Sequence, residues 1–189
     1  ARLPDLRRRQ RHPAPGDRPC RGCWIARAMN LPEYRLALDG AILARGFWIY
    51  VWKIQCGSEL AIYVGRTGDS SSPNASSLFR RAGQHLDLKG DAKGNSLKRA
   101  IDRLGWKADS CLYEQIALGP FFEEQSTMEA HIPYRDRIAA IEYAVSKAVK
   151  DEKFLLIGNH GSSHSVCLED GDNLNSAIRQ VLNFLRGTR

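Results

Sequence analysis

The sequence predicts an α/β fold of the α+β type, in which a small three-stranded antiparallel sheet is flanked by helices. Three observations predict it: two strand-like segments separated by a short turn, a third strand-like segment further on, and apolar stripes of helical period between and around them. A chain of 189 residues with 43% hydrophobic content can bury one substantial core. We therefore expect a single domain.

The first two strands are predicted to form a hairpin. Residues 47–54 are aromatic and β-branched, residues 60–64 are again strand-like, and the five residues between them are mostly polar and include a glycine. Because side chains alternate between the faces of a strand, antiparallel pairing can bring Tyr50 and Tyr63 to one side of the sheet. Gly65 is expected to leave room beside Tyr63.

One extra helix is predicted on each side of this core. Residues 31–44 carry apolar side chains near helical period, with Pro32 tolerated in a first turn, and residues 174–185 do the same at the other end of the chain. The two stripes are Leu31, Tyr34, Leu38 and Ile42, and then Leu174, Ile178, Val181, Leu182 and Leu185.

Two short helices are predicted after the hairpin. Asn74 or Ser76 can cap the first, in which the spacing of four places Arg81 and His85 on one face. The second covers residues 95–104, with its apolar stripe at Leu97, Ala100, Ile101 and Leu104.

The last part of the core is predicted as a strand, a long helix and a short buried segment. The strand covers residues 111–118 and ends at Gly119-Pro120. The helix follows Pro133, and Glu142 lies beside its apolar stripe of Ile138, Ile141, Val145 and Val149. Residues 154–157 form a short strand or turn, and Asn159 comes shortly after it.

Charge and cysteine content narrow the class of protein. A net charge of +7 and a pI of about 9.3 favour an anionic partner such as nucleic acid. Residues 1–30 read as a flexible basic arm and residues 31–189 as one domain with its core at about 46–160. The arm either contacts phosphates or has no role. Five cysteines argue for reduced thiols, and Cys20 and Cys23 have half the spacing of a zinc site that His160 and His164 would have to complete.

Neither a membrane span nor a secretory signal is predicted. No apolar run approaches the ~20 residues that a transmembrane helix needs, and the arginine-rich start has no apolar centre. We expect a soluble protein of the cytoplasm.

The hairpin and the helices after it resemble the GIY-YIG nuclease family. The family's first motif falls on Trp48-Ile49-Tyr50, with Trp48 where the family name expects glycine, and the second on Tyr63-Val64-Gly65, followed by Arg66. The resemblance covers roughly residues 47–159. It implies that Tyr50, Tyr63, Arg81, His85 and Glu142 are catalytic, that Glu142 also binds the metal, and that Lys53, Gly65, Arg66 and Asn159 contact the substrate.

The chemistry implied by the resemblance is phosphodiester hydrolysis with one Mg²⁺ or Mn²⁺ ion. A lone carboxylate leaves most of the ion's coordination to water and phosphate oxygens, which suits Mg²⁺. Tyr50 would accept the proton of the attacking water, with His85 or Lys53 as the sink. Tyr63 would hydrogen-bond the phosphate or the water.

Three functions are compatible with this resemblance. The first is an endonuclease of the restriction or defence type that acts on double-stranded DNA. The second is a repair or processing nuclease, and the third is a GIY-YIG module that binds nucleic acid without cutting it. The oligomeric state stays open, with a homodimer as one alternative.

Overall fold

The computed structural model describes residues 33–69, 72–160 and 171–187. The chain divides into two units, Ala1–Ala37 and Leu38–Arg189, and the second contains all the described helices and strands. The predicted basic arm, the Cys20/Cys23 pair and His164 lie outside the described residues.

A four-stranded mixed sheet forms the centre of the second unit. Its strands are β1 (Gly46–Cys56), β2 (Glu59–Arg66), β3 (Leu112–Glu123) and β4 (Leu156–Ile157), in the order β3-β1-β2-β4. The pairs β1–β2 and β1–β3 are antiparallel, as predicted, but β4 adds to β2 in parallel. The α+β class is confirmed, whereas the wholly antiparallel three-stranded sheet is wrong. A two-residue strand is too short to show a period in the sequence.

Within the described residues, four α-helices cover the two faces of the sheet. They are α1 (Leu78–His85), α2 (Ser96–Arg103), α3 (Met128–Asp151) and α4 (Gly171–Arg186). The first two pack on one face, against a core of Trp48, Tyr50, Trp52, Ile54, Ala61 and Tyr63. The other two pack on the opposite face, against Phe47, Ile49, Val51, Ile62 and Val64. Odd and even positions of β1 therefore belong to different cores.

The hairpin turn is tighter than predicted. Only Gly57 and Ser58 separate the strands, because Cys56 pairs with Glu59 and so extends the ladder into the polar segment. Gly57 has a φ of 61°, which a side chain would disfavour. The predicted five-residue loop is therefore wrong.

The predicted N-terminal helix does not form in the described part of residues 31–44. Residues 33–39 have no helical structure, and only a 3₁₀ turn at Gly40–Leu43 comes after them, capped by the side chain of Asp39. Of the predicted stripe, Leu38 is exposed and Ile42 is half-buried, and Gly40 interrupts the helical pattern. Without an apolar surface to cover, the stripe gains little from helix formation.

Three element boundaries differ from prediction for local reasons. Ser77, not Asn74 or Ser76, caps α1 through a bond to the Arg80 amide. Thr127 caps α3, so that helix begins before Pro133 and continues through it. Strand β3 continues past Gly119-Pro120, because an edge strand tolerates a residue without an amide hydrogen. The stripes of α2, α3 and α4 lie where predicted, and none of the described helices is long and apolar enough to cross a membrane.

Candidate active site

A cleft of about 310 Å³ opens at the edge of the sheet where β2 and β4 end. Because β2 and β4 are parallel, the last residues of β2 and the residues that follow β4 lie side by side. Seven of the nine predicted site residues line this cleft: Tyr50, Tyr63, Gly65, Arg66, Arg81, Glu142 and Asn159. Residues as distant in the sequence as Tyr50 and Asn159 thus meet at one place.

Each of the two tyrosines lies against a glycine. Tyr50 pairs with Gly65 across the hairpin, and a Cβ atom at Gly65 would lie 2.6 Å from the Tyr50 ring. A Cβ atom at Gly158 would lie 2.7 Å from the Tyr63 ring. Gly65 therefore makes room for Tyr50 rather than for Tyr63, which corrects the prediction. Gly158 serves Tyr63 in the same way.

A continuous chain of hydrogen bonds joins the two phenols behind the cleft. The Tyr50 hydroxyl lies 2.5 Å from Nε2 of His85, which is fully buried. On the other side of the same ring, Nδ1 lies 3.0 Å from Oγ of Ser96. Ser96 Oγ in turn lies 3.1 Å from the Tyr63 hydroxyl. Every member is both a donor and an acceptor, so the chain can carry a proton.

Burial sets the protonation states of the residues in this chain of hydrogen bonds. It lowers the pKa of His85 to about 3, helped by the charge of Arg81, so the imidazole is neutral at pH 7. Burial also raises the pKa of Tyr50 well above 10, and that of Tyr63 in the same direction. In the resting site both phenols are therefore protonated, and a phenolate at Tyr50 is disfavoured.

Arg81 connects the hydrogen-bond chain to the cleft. Its Nε donates to the Tyr50 hydroxyl at 3.3 Å, and its NH2 group donates to the Asp69 carboxylate at 2.8 Å. Asp69 comes directly after Gly68, whose carbonyl lies 3.0 Å from Nε2 of the buried His131 on α3. The segment after β2 is thereby fixed to α3, and it holds the carboxylate that orients Arg81.

Glu142 is buried on α3, and its carboxylate accepts a hydrogen bond from the guanidinium of Arg66. Burial raises the pKa of Glu142, and the attraction of Arg66 opposes that effect. Asn159 lines the cleft with it, so the two residues offer carboxylate and amide oxygens of the kind that Mg²⁺ prefers. These residues fit an ion held by one carboxylate, provided that Arg66 releases Glu142. No group of three His, Cys, Asp or Glu side chains suitable for a metal ion occurs within residues 33–69, 72–160 and 171–187.

Lys53 does not line the cleft, so the geometry does not support its predicted role in substrate contact or as a proton sink. Its side chain lies on the opposite face of the sheet, where it forms an ion pair with Glu114 and lies 5.1 Å from the centre of the Phe184 ring. The reason is parity, because positions 50 and 53 of a strand point to opposite faces.

The tryptophan at the first motif packs inside the α1/α2 core. Trp48 is buried, and its indole nitrogen donates to the carbonyl of Ala44 at 3.2 Å. A Cβ atom at Gly119 on β3 would lie 3.2 Å from the ring, so the glycine on the neighbouring strand leaves the space that the large side chain needs. Trp48 does not line the cleft.

Four polar residues of the cleft were not predicted: Asp69, Ser96, Arg99 and Arg103. Ser96 comes after Asn95 at the start of α2, where the residue type suggests helix capping, yet its hydroxyl binds His85 instead. The two arginines are four residues apart on α2, a spacing that indicates one helical face. That spacing is visible in the sequence and would have found them.

Comparison of the chain with models of known protein families, with curated proteins and with solved structures found no significant match. The resemblance to GIY-YIG nucleases thus stays a prediction from the two hairpin motifs and the order of Arg81, His85 and Glu142 after them.

Proposed function

We propose that this protein is a metal-dependent endonuclease that hydrolyses phosphodiester bonds in nucleic acid, in the manner of the GIY-YIG family. One observation carries the proposal: a hydrogen-bonded chain from Tyr50 to Tyr63 ends in a cleft lined by arginines and one buried glutamate. Double-stranded DNA is the proposed substrate, and restriction or defence the proposed role.

The arginines of the cleft supply the binding of a phosphodiester. Arg66 and Arg81 both line the cleft with Tyr50, and Nε of Arg81 lies 3.3 Å from the Tyr50 hydroxyl. Guanidinium groups suit phosphate because their planar donors match two of its oxygens. The same groups would stabilise the extra negative charge that develops on the phosphate during hydrolysis.

The hydrogen-bond chain solves the problem that a buried tyrosine is a poor base. Tyr50 accepts the proton of the attacking water while its own proton passes to Nε2 of His85. The proton on Nδ1 of His85 passes to Ser96, and the Ser96 proton passes to Tyr63. Tyr63 releases its own proton to a phosphate oxygen or to water in the cleft. Every member ends neutral, so neither a phenolate nor an imidazolium has to persist in a buried site.

Glu142 and Asn159 would hold the divalent ion. When bound there, Mg²⁺ supplies stabilisation of the negative charge on the leaving oxygen. The role of this chain's own residues is to present one carboxylate and one amide oxygen at the side of the cleft formed by α3 and the segment after β4.

A second candidate is a module that binds nucleic acid without cutting it. The specific observation in its favour is the Arg66–Glu142 pair, because a carboxylate bound to a guanidinium is not available to a metal ion. This candidate predicts salt-sensitive binding of DNA and no product with any divalent ion.

Incubation with supercoiled plasmid and Mg²⁺ tests both candidates. The endonuclease proposal expects cleavage by the natural chain and its loss in Glu142→Ala. Glu114→Ala is the matched control, since Glu114 is also paired with a cation but lies on the other face of the sheet. Discrete bands would indicate site specificity, and a smear nonspecific cutting. An intact plasmid, together with DNA binding, would support the binding module instead.

A further inference from the structure

The net charge of the cleft lining comes from α2. Four arginines and two carboxylates line the cleft. Both carboxylates are already neutralised by ion pairs: Glu142 with Arg66, and Asp69 with Arg81. The two remaining arginines, Arg99 and Arg103, have no ion-pair partner among the described residues. The cleft therefore carries two uncompensated positive charges on one helix.

The charge on α2 differs between the two sides of the helix. Arg99 and Arg103 are both exposed and lie one helical turn apart, about 6 Å along the axis at about 1.5 Å per residue. Like charges at this spacing destabilise a helix, whereas opposite charges stabilise it. The neighbouring Lys98 does have a partner of opposite charge, because its Nζ lies 2.8 Å from the Asp102 carboxylate. One side of α2 is thus neutralised, and the side toward the cleft is not.

We propose that Arg99 and Arg103 bind the phosphates next to the one that is cleaved, so that the strand passes from the tyrosines across α2. This inference rests on the proposed function and deepens it by naming the residues that position the strand beyond the reacting phosphate. A single nucleotide would occupy the Tyr50 and Arg81 side of the cleft and leave α2 without a ligand.

These contacts position the strand and do not identify its sequence. Both side chains are long, exposed and part of the lining of a cleft whose other side binds the reacting phosphate. Arginine contacts to successive phosphates fix the register of a nucleic acid but carry no base information. Their approximate separation of one helical turn is comparable with the distance between neighbouring phosphates of one strand.

The experiment is a titration of a short fluorescein-labelled DNA duplex with the full chain, followed by anisotropy at several NaCl concentrations in EDTA. Each phosphate contact contributes about 0.9 to the slope of log K against log salt for duplex DNA. We expect Arg99→Ala and Arg103→Ala each to flatten the slope by about 0.9, and the double variant by about 1.8. Lys98→Ala, with the same loss of one charge from the same helix, is expected to keep the slope of the natural chain.

Slopes of the two arginine variants equal to that of Lys98→Ala would overturn the inference, and so would absence of duplex binding by the natural chain. Because EDTA removes divalent ions, this result does not depend on cleavage. Flattened slopes in a chain that cuts no plasmid would leave the phosphate contacts intact and remove the endonuclease proposal. Unchanged slopes in a protein that cuts plasmid would overturn the phosphate contacts and leave the endonuclease proposal in place.

Discussion

The two faces of β1 have different roles, although their residues alternate along one strand. On one face Phe47, Ile49 and Val51 are fully buried against α3 and α4, and they provide packing alone. On the other face, Tyr50 is equally buried, yet its hydroxyl is hydrogen-bonded to His85 and Arg81. Burial alone therefore does not separate a structural residue from a candidate catalytic one. The polar partners do.

The difference arises from the helices that each face contacts. The α3/α4 face contacts mainly apolar stripes, so most of its side chains need no polar partner, and Lys53 of β1 pairs with Glu114 instead. The α1/α2 face contacts helices that also bring His85, Arg81 and Ser96, and each of these polar groups needs a partner once it is removed from water. The hydroxyls of Tyr50 and Tyr63 supply those partners, and both tyrosines line the cleft at the same time.

The largest expected effect comes from comparing a loss of chemistry with a loss of packing at two adjacent positions of β1, Tyr50 and Ile49. Tyr50→Phe should reduce single-turnover cleavage by about 10²–10⁴, the usual range for a general base. It should cost only about 1–3 kcal/mol of stability, because the hydroxyl loses its hydrogen bonds with His85, Arg81 and the Arg66 carbonyl while the ring keeps its packing. Ile49→Ala should lower the free energy of unfolding by about 2–5 kcal/mol and leave the cleavage rate of the folded fraction nearly unchanged. Rate measurements and urea denaturation on both variants check this; a similar ratio of rate loss to stability loss in the two would refute the distinction between the faces.

The second effect is a pH dependence of stability that belongs to the α1/α2 face. In the unfolded chain His85 binds a proton below its ordinary pKa of about 6.5, whereas burial keeps it neutral in the folded chain down to about pH 3. The unfolded state therefore binds more protons in this window, so stability is complete above about pH 6.5 and falls as the pH falls toward 3. The slope from this residue approaches about 1.4 kcal/mol per pH unit.

His85→Gln should remove that contribution. Urea denaturation at pH 7, 6, 5 and 4.5 should show the gap between the natural chain and the variant narrowing as the pH decreases. The comparison isolates His85 because the burial of Glu142 and His160 acts on both chains alike. Parallel stability curves would show that His85 is not buried in a neutral state.

A third, smaller effect tests the link between the phenols. Ser96→Ala interrupts the chain of hydrogen bonds between His85 and Tyr63. The proton taken up by His85 then has to remain on a poorly basic imidazole. We expect cleavage to fall by roughly tenfold to a hundredfold, that is about 1.4–2.7 kcal/mol of activation free energy. Ser96→Thr keeps the hydroxyl and should restore most of the rate.

The control for Ser96 is Ser146→Ala, which removes a buried hydroxyl of α3 that has no hydrogen-bond partner among the described residues. Equal rate losses in Ser96→Ala and Ser146→Ala would assign Ser96 a structural role only.

Much of the fold could be predicted from the sequence because its elements have long, regular patterns. The hairpin, the stripes of α2, α3 and α4, and the approach of Tyr50 to Tyr63 are all consequences of period alone. The sequence predicts a short strand or turn at residues 154–157, where β4 lies, but not its parallel pairing with β2, since two residues have no period. The helix expected at residues 31–44 has the period, but its stripe has too little apolar surface to cover, and a local pattern does not report that.

The sequence predicts those site residues that are identified by their order along the chain. It does not predict those that join the site only through contacts in the folded structure. Parity along β1 would have excluded Lys53, since it differs from Tyr50 by an odd number of positions. Ser96 is different, because nothing local distinguishes a serine that begins a helix from one that binds a histidine of the preceding helix. Only the packing of α1 against α2 brings that hydroxyl between two ring systems.

The smallest expected effect is the one on Lys53, and it tests the face comparison from the opposite side. Lys53→Met keeps the apolar stem and removes the ion pair with Glu114 and the contact of the charge with Phe184. Glu114 is nearly half exposed, so water can solvate it, and the stability loss should be about 0.5–2 kcal/mol. Cleavage and the slope of DNA binding against salt should both equal those of the natural chain, because the charge lies behind the sheet from the cleft. A tenfold loss of cleavage at unchanged stability would place Lys53 in the reaction after all, and would show that the two faces of β1 do not separate packing from chemistry.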